Sequence, residues 1–235
     1  IYSIIELVWS NLTIGEEYCF LIKHLAISTW AIVCVAVASQ ADTWTVDDDG
    51  KADFDNIQAA IDAAGSGDEI VVMPGTYTST AYEVVDMRGK EIWLHSSAGA
   101  EVTIIDGEQT RRGIYCGNAE TSNTIIEGFT ITNGYTGYTG SIGGGGMANY
   151  WGSSPTLTGC IFENNFANDI GGGMFNYSNS SPTLTDCTFT GNIAVLGGGM
   201  WNDSNSSTTL TNCTFENNTA NYYGGGMYNY DSNSN

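Results

Sequence analysis

Four near-copies of one hexapeptide constrain this chain more than any other feature: GGGMAN at 144–149, GGGMFN at 171–176, GGGMWN at 197–202 and GGGMYN at 224–229. Met147, Met174, Met200 and Met227 follow one another at steps of 27, 26 and 27 residues. A fixed period of this length marks units that stack, because one such unit cannot bury its own apolar face.

The same period runs through the residues between the hexapeptides. Leu157, Leu184 and Leu210 form one column, and Cys160, Cys187 and Cys213 a second. Phe162, Phe189 and Phe215 form a third, followed by Asn165, Asn192 and Asn218 and by Ala167, Ala194 and Ala220. A degenerate copy lies at 126–134, where Phe129 takes the Cys place and Ile131 the Phe place. The single 26-residue step is local, since 192–197 is one residue shorter than 165–171, and a turn absorbs it. Columns of this kind require coils stacked about 4.8 Å apart with like side chains meeting like. Leu157, Cys160, Phe162, Ala167 and Met174 are the expected inward set of one coil, and Asn165 and Asn176 the expected amide ladders. The reading is an all-β parallel β-helix with 26–27 residues per coil. A leucine-rich repeat would need an L-x-x-L-x-L-x-x-N pattern, and a calcium β-roll would need Asp beside its glycines; neither pattern is present.

Ahead of the repeats, Phe54, Ile57, Ala60, Ile61 and Ala64 are spaced as one face of a short helix, with Asp53 as expected N-cap and Gly65 as stop. A turn, a buried strand and a second turn are expected over 67–77, then short strands over 83–86, 91–95, 102–105, 113–115 and 124–131. Further upstream, Lys23-His24, the apolar run 25–38 and the small residues to Ala41 have the layout of a signal peptide, cleaved after Ala38 or Ala41. The run is short of the roughly 20 residues of a membrane span. Residues 1–22 lack an initiating Met, and a natural start near Leu21 or Ile22 is the corresponding expectation. The domains expected are therefore an upstream segment plus signal peptide at 1–41, an N-terminal cap with the first coils at 42–110, and β-helix repeats at 111–235. The chain ends where another S-P-T-L unit would begin, so a monomeric repeat array within a longer protein is expected.

Charge narrows the partners. The formal charge is −20, from 26 acidic against 6 basic residues, and no Lys or Arg follows residue 112. Nucleic acid and anionic membrane surfaces are therefore expected to be poor partners, since both are bound through basic patches.

The block at 54–77 resembles the N-terminal cap of right-handed pectin-lyase-like β-helices. GGGM, together with F-x-x-N at Phe162/Asn165, Phe189/Asn192 and Phe215/Asn218, resembles the GGA[I/L/V] and FxxN repeats of chlamydial polymorphic outer membrane proteins. These resemblances imply a right-handed β-helix, displayed at the surface or secreted, and a choice between an adhesin-like or passenger-like scaffold and a polysaccharide-active enzyme.

Lyase chemistry of the pectate type would need acidic residues for calcium and an Arg or Lys base, and the repeats contain no such base. Asp106, Glu108 and Arg111 are the weak catalytic candidates, with Arg88, Lys90 and Arg112 nearby in sequence. Glycoside hydrolysis needs two carboxylates roughly 5 to 10 Å apart; Glu163 and Glu216 share a column but have Thr190 between them. Asp47, Asp48 and Asp49 resemble part of a calcium loop without its closing Glu, so Ca2+ is possible though no cofactor is required. The cysteines lack metal-site spacing and read as a buried thiol column, with Cys116 alone. For binding, strand alternation places the residue after each Met outward, so that Phe175, Trp201 and Tyr228 form an exposed aromatic row joined by Tyr150, Tyr177 and Tyr230. Ala148 is the member of that column without a ring. An exposed row of rings suits a polysaccharide or cell-surface glycan. The inserted loop at 135–142 is expected to protrude. The sequons at Asn179, Asn205 and Asn212 read as turn residues.

Overall fold

A computed structural model describes residues 19–20, 33–34, 41–137 and 143–231. The chain divides into two units, Ile1–Gln40 and Ala41–Asn235. In the first, Cys19–Phe20 and Val33–Cys34 pair antiparallel. The expected start near Leu21 and the signal-peptide run otherwise lie outside the described residues, as do 138–142 of the expected loop.

The second unit is a coil of parallel strands in which each strand pairs with its counterpart one turn away. A leucine sheet of seven strands runs in the order Thr43–Val46, Glu69–Val72, Trp93–Ser96, Ile125–Glu127, Thr156–Thr158, Thr183–Thr185 and Thr209–Thr211. A phenylalanine sheet of six runs from Gly75–Tyr77 through Thr103–Asp106, Thr130–Thr132, Ile161–Glu163 and Thr188–Thr190 to Thr214–Glu216. A methionine sheet, also of six, runs from Glu83–Asp86 through Arg112–Cys116, Met147–Asn149, Met174–Asn176 and Met200–Asp203 to Met227–Tyr230. A short fourth sheet contains Tyr135–Thr136, Phe166–Ala167, Ile193–Leu196 and Thr219–Tyr223.

Register is like on like. Leu157 pairs with Leu184, Phe162 with Phe189 and Met174 with Met200. The Phe162, Phe189 and Phe215 rings stack at 4.6 and 4.7 Å with planes within 4° of parallel, close to the spacing of adjacent strands. The expected inward set of Leu157, Cys160, Phe162, Ala167 and Met174 is buried. Truncating Phe162 or Phe189, both buried, would cost about 3–5 kcal/mol. Leu210, in the same column as Leu157 and Leu184, is exposed.

Two amide ladders run beside this core. Asn149 Nδ2 donates to Asn176 Oδ1 (2.7 Å), Asn176 to Asn202 (2.8 Å) and Asn202 to Asn229 (2.8 Å). Asn165 Nδ2 donates to Asn192 Oδ1 (2.9 Å) and to the Ile131 carbonyl (2.9 Å).

The three glycines of each GGGM have separate causes. Gly171 has φ +62°, where an L side chain is strained. Gly172 and Gly173 lack positive φ; a Cβ on either would stand 2.5 Å from a carbonyl oxygen of the next coil, and one on Gly173 also 2.9 Å from the Phe189 ring. Only the first glycine turns the chain, and the other two let coils approach.

The helix is Ile57–Ala63, three residues shorter at its start than the apolar spacing predicts. Its N-cap is Asn56, whose Oδ1 accepts from Ala59 N (2.8 Å). Asp53 instead accepts from Thr45 N (2.9 Å) and Thr45 Oγ1 (2.7 Å), holding Phe54 in a bridge to Val46. Lys90 satisfies the other end, its Nζ donating to the carbonyls of Ile61 (2.6 Å), Asp62 (3.0 Å) and Ala64 (2.7 Å). Two strand boundaries also differ from expectation. The second turn of 67–77 contains the strand Gly75–Tyr77, and 124–131 is two strands broken at Gly128, where φ is +73°.

Candidate functional site

The residues after each Met form an outward column of the methionine sheet. In register they are Asp86, Tyr115, Ala148, Phe175, Trp201 and Tyr228. The expectation that this row is exposed is corrected: Phe175 is 1% and Trp201 5% exposed. Alternation gives the side of the sheet a residue takes, but a second layer covers that side. Ile170 and Leu196 arrive from the bridged segment that precedes each GGGM, and Tyr150 and Tyr177 fold back from the residues that follow each Asn. Tyr150 lies 5.3 Å from Phe175 edge-on and 5.9 Å from Tyr115, so its ring occupies the space Ala148 leaves between them. Tyr177 stacks on Phe175 at 5.7 Å, and Tyr228 on Trp201 at 4.8 Å. Tyr150, Tyr177 and Tyr228 are half-buried. Burial pushes the Tyr150 phenol up to about 12, which keeps its hydroxyl a donor across the physiological range. The Trp201 indole N–H is buried without a hydrogen-bond partner among the described residues.

The exposed rings of this face lie at the rim of the layer; Tyr230 was expected in the row, whereas the sequence reading missed Trp151 and Tyr223. Trp151 is 62% and Tyr230 56% exposed, and Tyr223 is exposed beside Tyr228. Trp151 meets Tyr177 edge-on at 6.2 Å. Its backbone is left-handed, φ 57°, which is costly for a bulky residue. The Gly152 N–H donates to the Ser178 carbonyl, Asn179 to Ser204 and Asn205 to Asp231, which aligns Trp151 with serines in the next two coils. Those serines share its backbone, with φ 58° at Ser178 and 53° at Ser204. The signal that could have found it is an aromatic residue in a column otherwise filled by Ser178, Ser204 and Asp231.

At the edge of the layer, Arg112 is buried. Its Nη1 donates to Glu83 Oε1 (3.1 Å), and Nε and Nη2 donate to the carbonyls of Gly144 (3.0 Å) and Gly143 (3.1 Å). Its guanidinium lies 5.4 Å from the Tyr115 ring centre. Burial raises the Glu83 carboxyl, and the Arg112 charge opposes that rise.

The catalytic candidates are partly brought together. Glu108 and Arg111 form an ion pair and line a cleft of 450 Å³ with Gln58, Thr78, Ser79 and Thr80. Asp106 does not join them, because its Oδ1 accepts from Glu108 N (2.7 Å) and Asn133 Nδ2 (3.1 Å). Glu163 and Glu216 sit in one column with Thr190 between.

The acidic run is divided among other tasks. Asp47 Oδ1 accepts from Asp49 N (3.4 Å), Asp48 Oδ2 accepts from Thr76 N (3.1 Å), and Asp49 pairs with Lys51. No group of three or more His, Cys, Asp or Glu suited to a metal ion occurs among the described residues. Cys116, Cys160, Cys187 and Cys213 are free thiols, and burial pushes Cys116 well up. No helix among the described residues is long and apolar enough to cross a membrane.

Coils of parallel strands, in-register columns and two amide ladders define a parallel β-solenoid. Residues 54–235 match the family model described as right handed beta helix region, and the chain belongs to that family. No curated protein and no solved structure matches it.

Proposed function

We propose that this β-helix is a secreted or surface-displayed scaffold of adhesin or passenger type that contacts glycans or cell surfaces through its aromatic band. The carrying observation is Trp151, an exposed indole on a strained backbone where the stacked positions hold Ser178 and Ser204. The coil closes with serine there, so packing does not account for the indole, and strain kept at an exposed ring is a sign of use. Tyr177 and Tyr150 would steady the platform, and Trp201, Phe175 and Tyr228 would support it from beneath. Apolar ring faces with polar edges suit the faces and hydroxyls of sugars. The charge of −20 favours neutral glycans over anionic ones. The signal-like segment and the resemblance to outer membrane repeats favour export, with the array monomeric and calcium optional.

Glycan-array binding by the Trp151→Ser chain tests this reading, since serine is already accommodated at that backbone geometry. Loss of binding with a melting temperature no lower than that of the parent chain is expected; unchanged binding by the variant rejects the proposal.

A polysaccharide-active enzyme is the second reading, favoured by the cleft that Glu108 and Arg111 line. Release of unsaturated product from polygalacturonate, abolished by Arg111→Ala, would support it; the absence of product would count against it.

A further inference from the structure

The outer face of the leucine sheet carries a second aromatic feature, on a different sheet from the hexapeptides. Its outward residues form two columns. One contains Glu69, Trp93, Ile125, Thr156 and Thr183, and the other Val71, His95, Glu127, Thr158 and Thr185. Trp93 is 40% exposed. Its ring lies on the His95 ring, centres 4.2 Å apart and planes at 22°, so one face of the indole is covered. Two hydrogen bonds fix this arrangement. Trp93 Nε1 donates to Glu127 Oε2 (3.1 Å), and His95 Nε2 is 2.9 Å from Glu69 Oε1. The Glu69 carboxylate is completed by Thr43 Oγ1 (2.9 Å), which leaves Glu127 Oε1 as the unused acceptor at the edge of the indole. Beyond Glu127 the hydroxyls of Thr158, Thr183 and Thr185 make no hydrogen bond within the protein among the described residues. Thr156 spends its hydroxyl on the Ser122 carbonyl (3.0 Å).

We propose that this face binds a neutral polysaccharide chain laid along the solenoid axis, with one sugar stacked on Trp93 and the following sugars held through their hydroxyls by Glu127 and the threonine columns. An indole held by a ring against one face and a hydrogen bond at its edge has little freedom left to lose on binding. Coils about 4.8 Å apart present one row of hydroxyls per step, close to the length of one hexose in an extended chain. Glu69 and Glu127 flank the platform, and no Lys or Arg stands in either column, so uronate polymers are repelled. The face is separate from the aromatic band of Trp151 and stands or falls without it.

Titration calorimetry with cellohexaose, mannohexaose, hexa-galacturonate and chitosan hexamer, on the full chain and its variants, tests the assignment. At least one neutral hexaose is expected to bind and the galacturonate is not. Trp93→Ala should weaken that binding by about tenfold or more, Trp93→Phe by less, and Glu127→Gln by about threefold. Trp151→Ser should leave it unchanged. Trp93→Phe keeps a ring over His95, so its melting temperature distinguishes a lost platform from a lost fold. Binding by Trp93→Ala equal to wild type, binding of no neutral hexaose, or binding of the cationic chitosan alone would each overturn the proposal.

Discussion

The side-chain amide of Asn192 accepts two hydrogen bonds from Asn165, one from its backbone N–H (3.1 Å) and one from Nδ2 (2.9 Å). Asn192 Nδ2 donates in turn to the Phe162 carbonyl (2.8 Å) and to Asn218 Oδ1 (2.9 Å). One buried side chain therefore ties three coils. Asn192→Ala leaves several buried polar groups unmatched, at about 1–3 kcal/mol each, so a loss of about 3 kcal/mol or more is expected in urea denaturation. Asn218→Ala, in the last coil and half-buried, should cost clearly less.

The glycines differ in the same measurable way. Gly159 has φ +58° with nothing within 4 Å of an added Cβ, so Gly159→Ala meets only backbone strain of about 1–2 kcal/mol. Gly173→Ala has no left-handed strain, but its Cβ would press 2.5 Å from the Gly199 carbonyl oxygen. Backbone in a ladder cannot give way without opening the coil, so Gly173→Ala is expected to be the more destabilising of the two. Equal midpoints for the two variants would contradict this division of roles.

The core columns were legible because their partners are one period apart. Leu157, Phe162, Met174 and Asn165 each meet the residue that shares their column. Contacts that break the period were not legible. Trp93 reaches Glu127 across 34 positions and Arg112 reaches Glu83 across 29, in coils whose sequences do not align. Phe175 and Trp201 were placed on the correct side of their sheet, but alternation does not reveal that Ile170 and Tyr150 return to cover that side.

That second layer makes Trp201 a stability residue. Trp201→Ala removes a buried ring stacked on Tyr228 and partly opens the cluster around Ile170. A loss of about 3–5 kcal/mol is expected, and a fall in melting temperature checks it. Trp151→Ser, at the exposed rim, should leave the melting temperature unchanged or raise it.

Lys90 closes the C-terminus of the helix with three carbonyl contacts within 3.0 Å. Lys90→Met keeps the length of the stem but removes the donors, leaving the carbonyls of Ile61 and Ala64 without that partner. A loss of about 2 kcal/mol is expected. Amide hydrogen exchange should rise over Ile57–Ala63 and stay unchanged in the coils from Met174 onward.

Asp68 links the first coils to pH. It is buried, which alone would raise its carboxyl, but the N–H groups of Asp42 (2.9 Å) and Gly65 (2.8 Å) and the Trp44 indole (3.1 Å) bond the charged form and hold it below the usual 3.8. A folded carboxyl below its unfolded value means that the unfolded chain binds more protons in the window between them, so stability rises with pH there. The contribution of Asp68 is fully present above its unfolded value near 4 and is lost as pH falls through its folded value. Urea midpoints measured from pH 7 down to pH 2 should fall steeply below about 4 in the wild type. Asp68→Asn should start lower at pH 7 and fall less steeply, because the neutral amide retains the shape but has no proton to gain. An acid limb of the same slope in both proteins would show that other carboxylates carry the dependence.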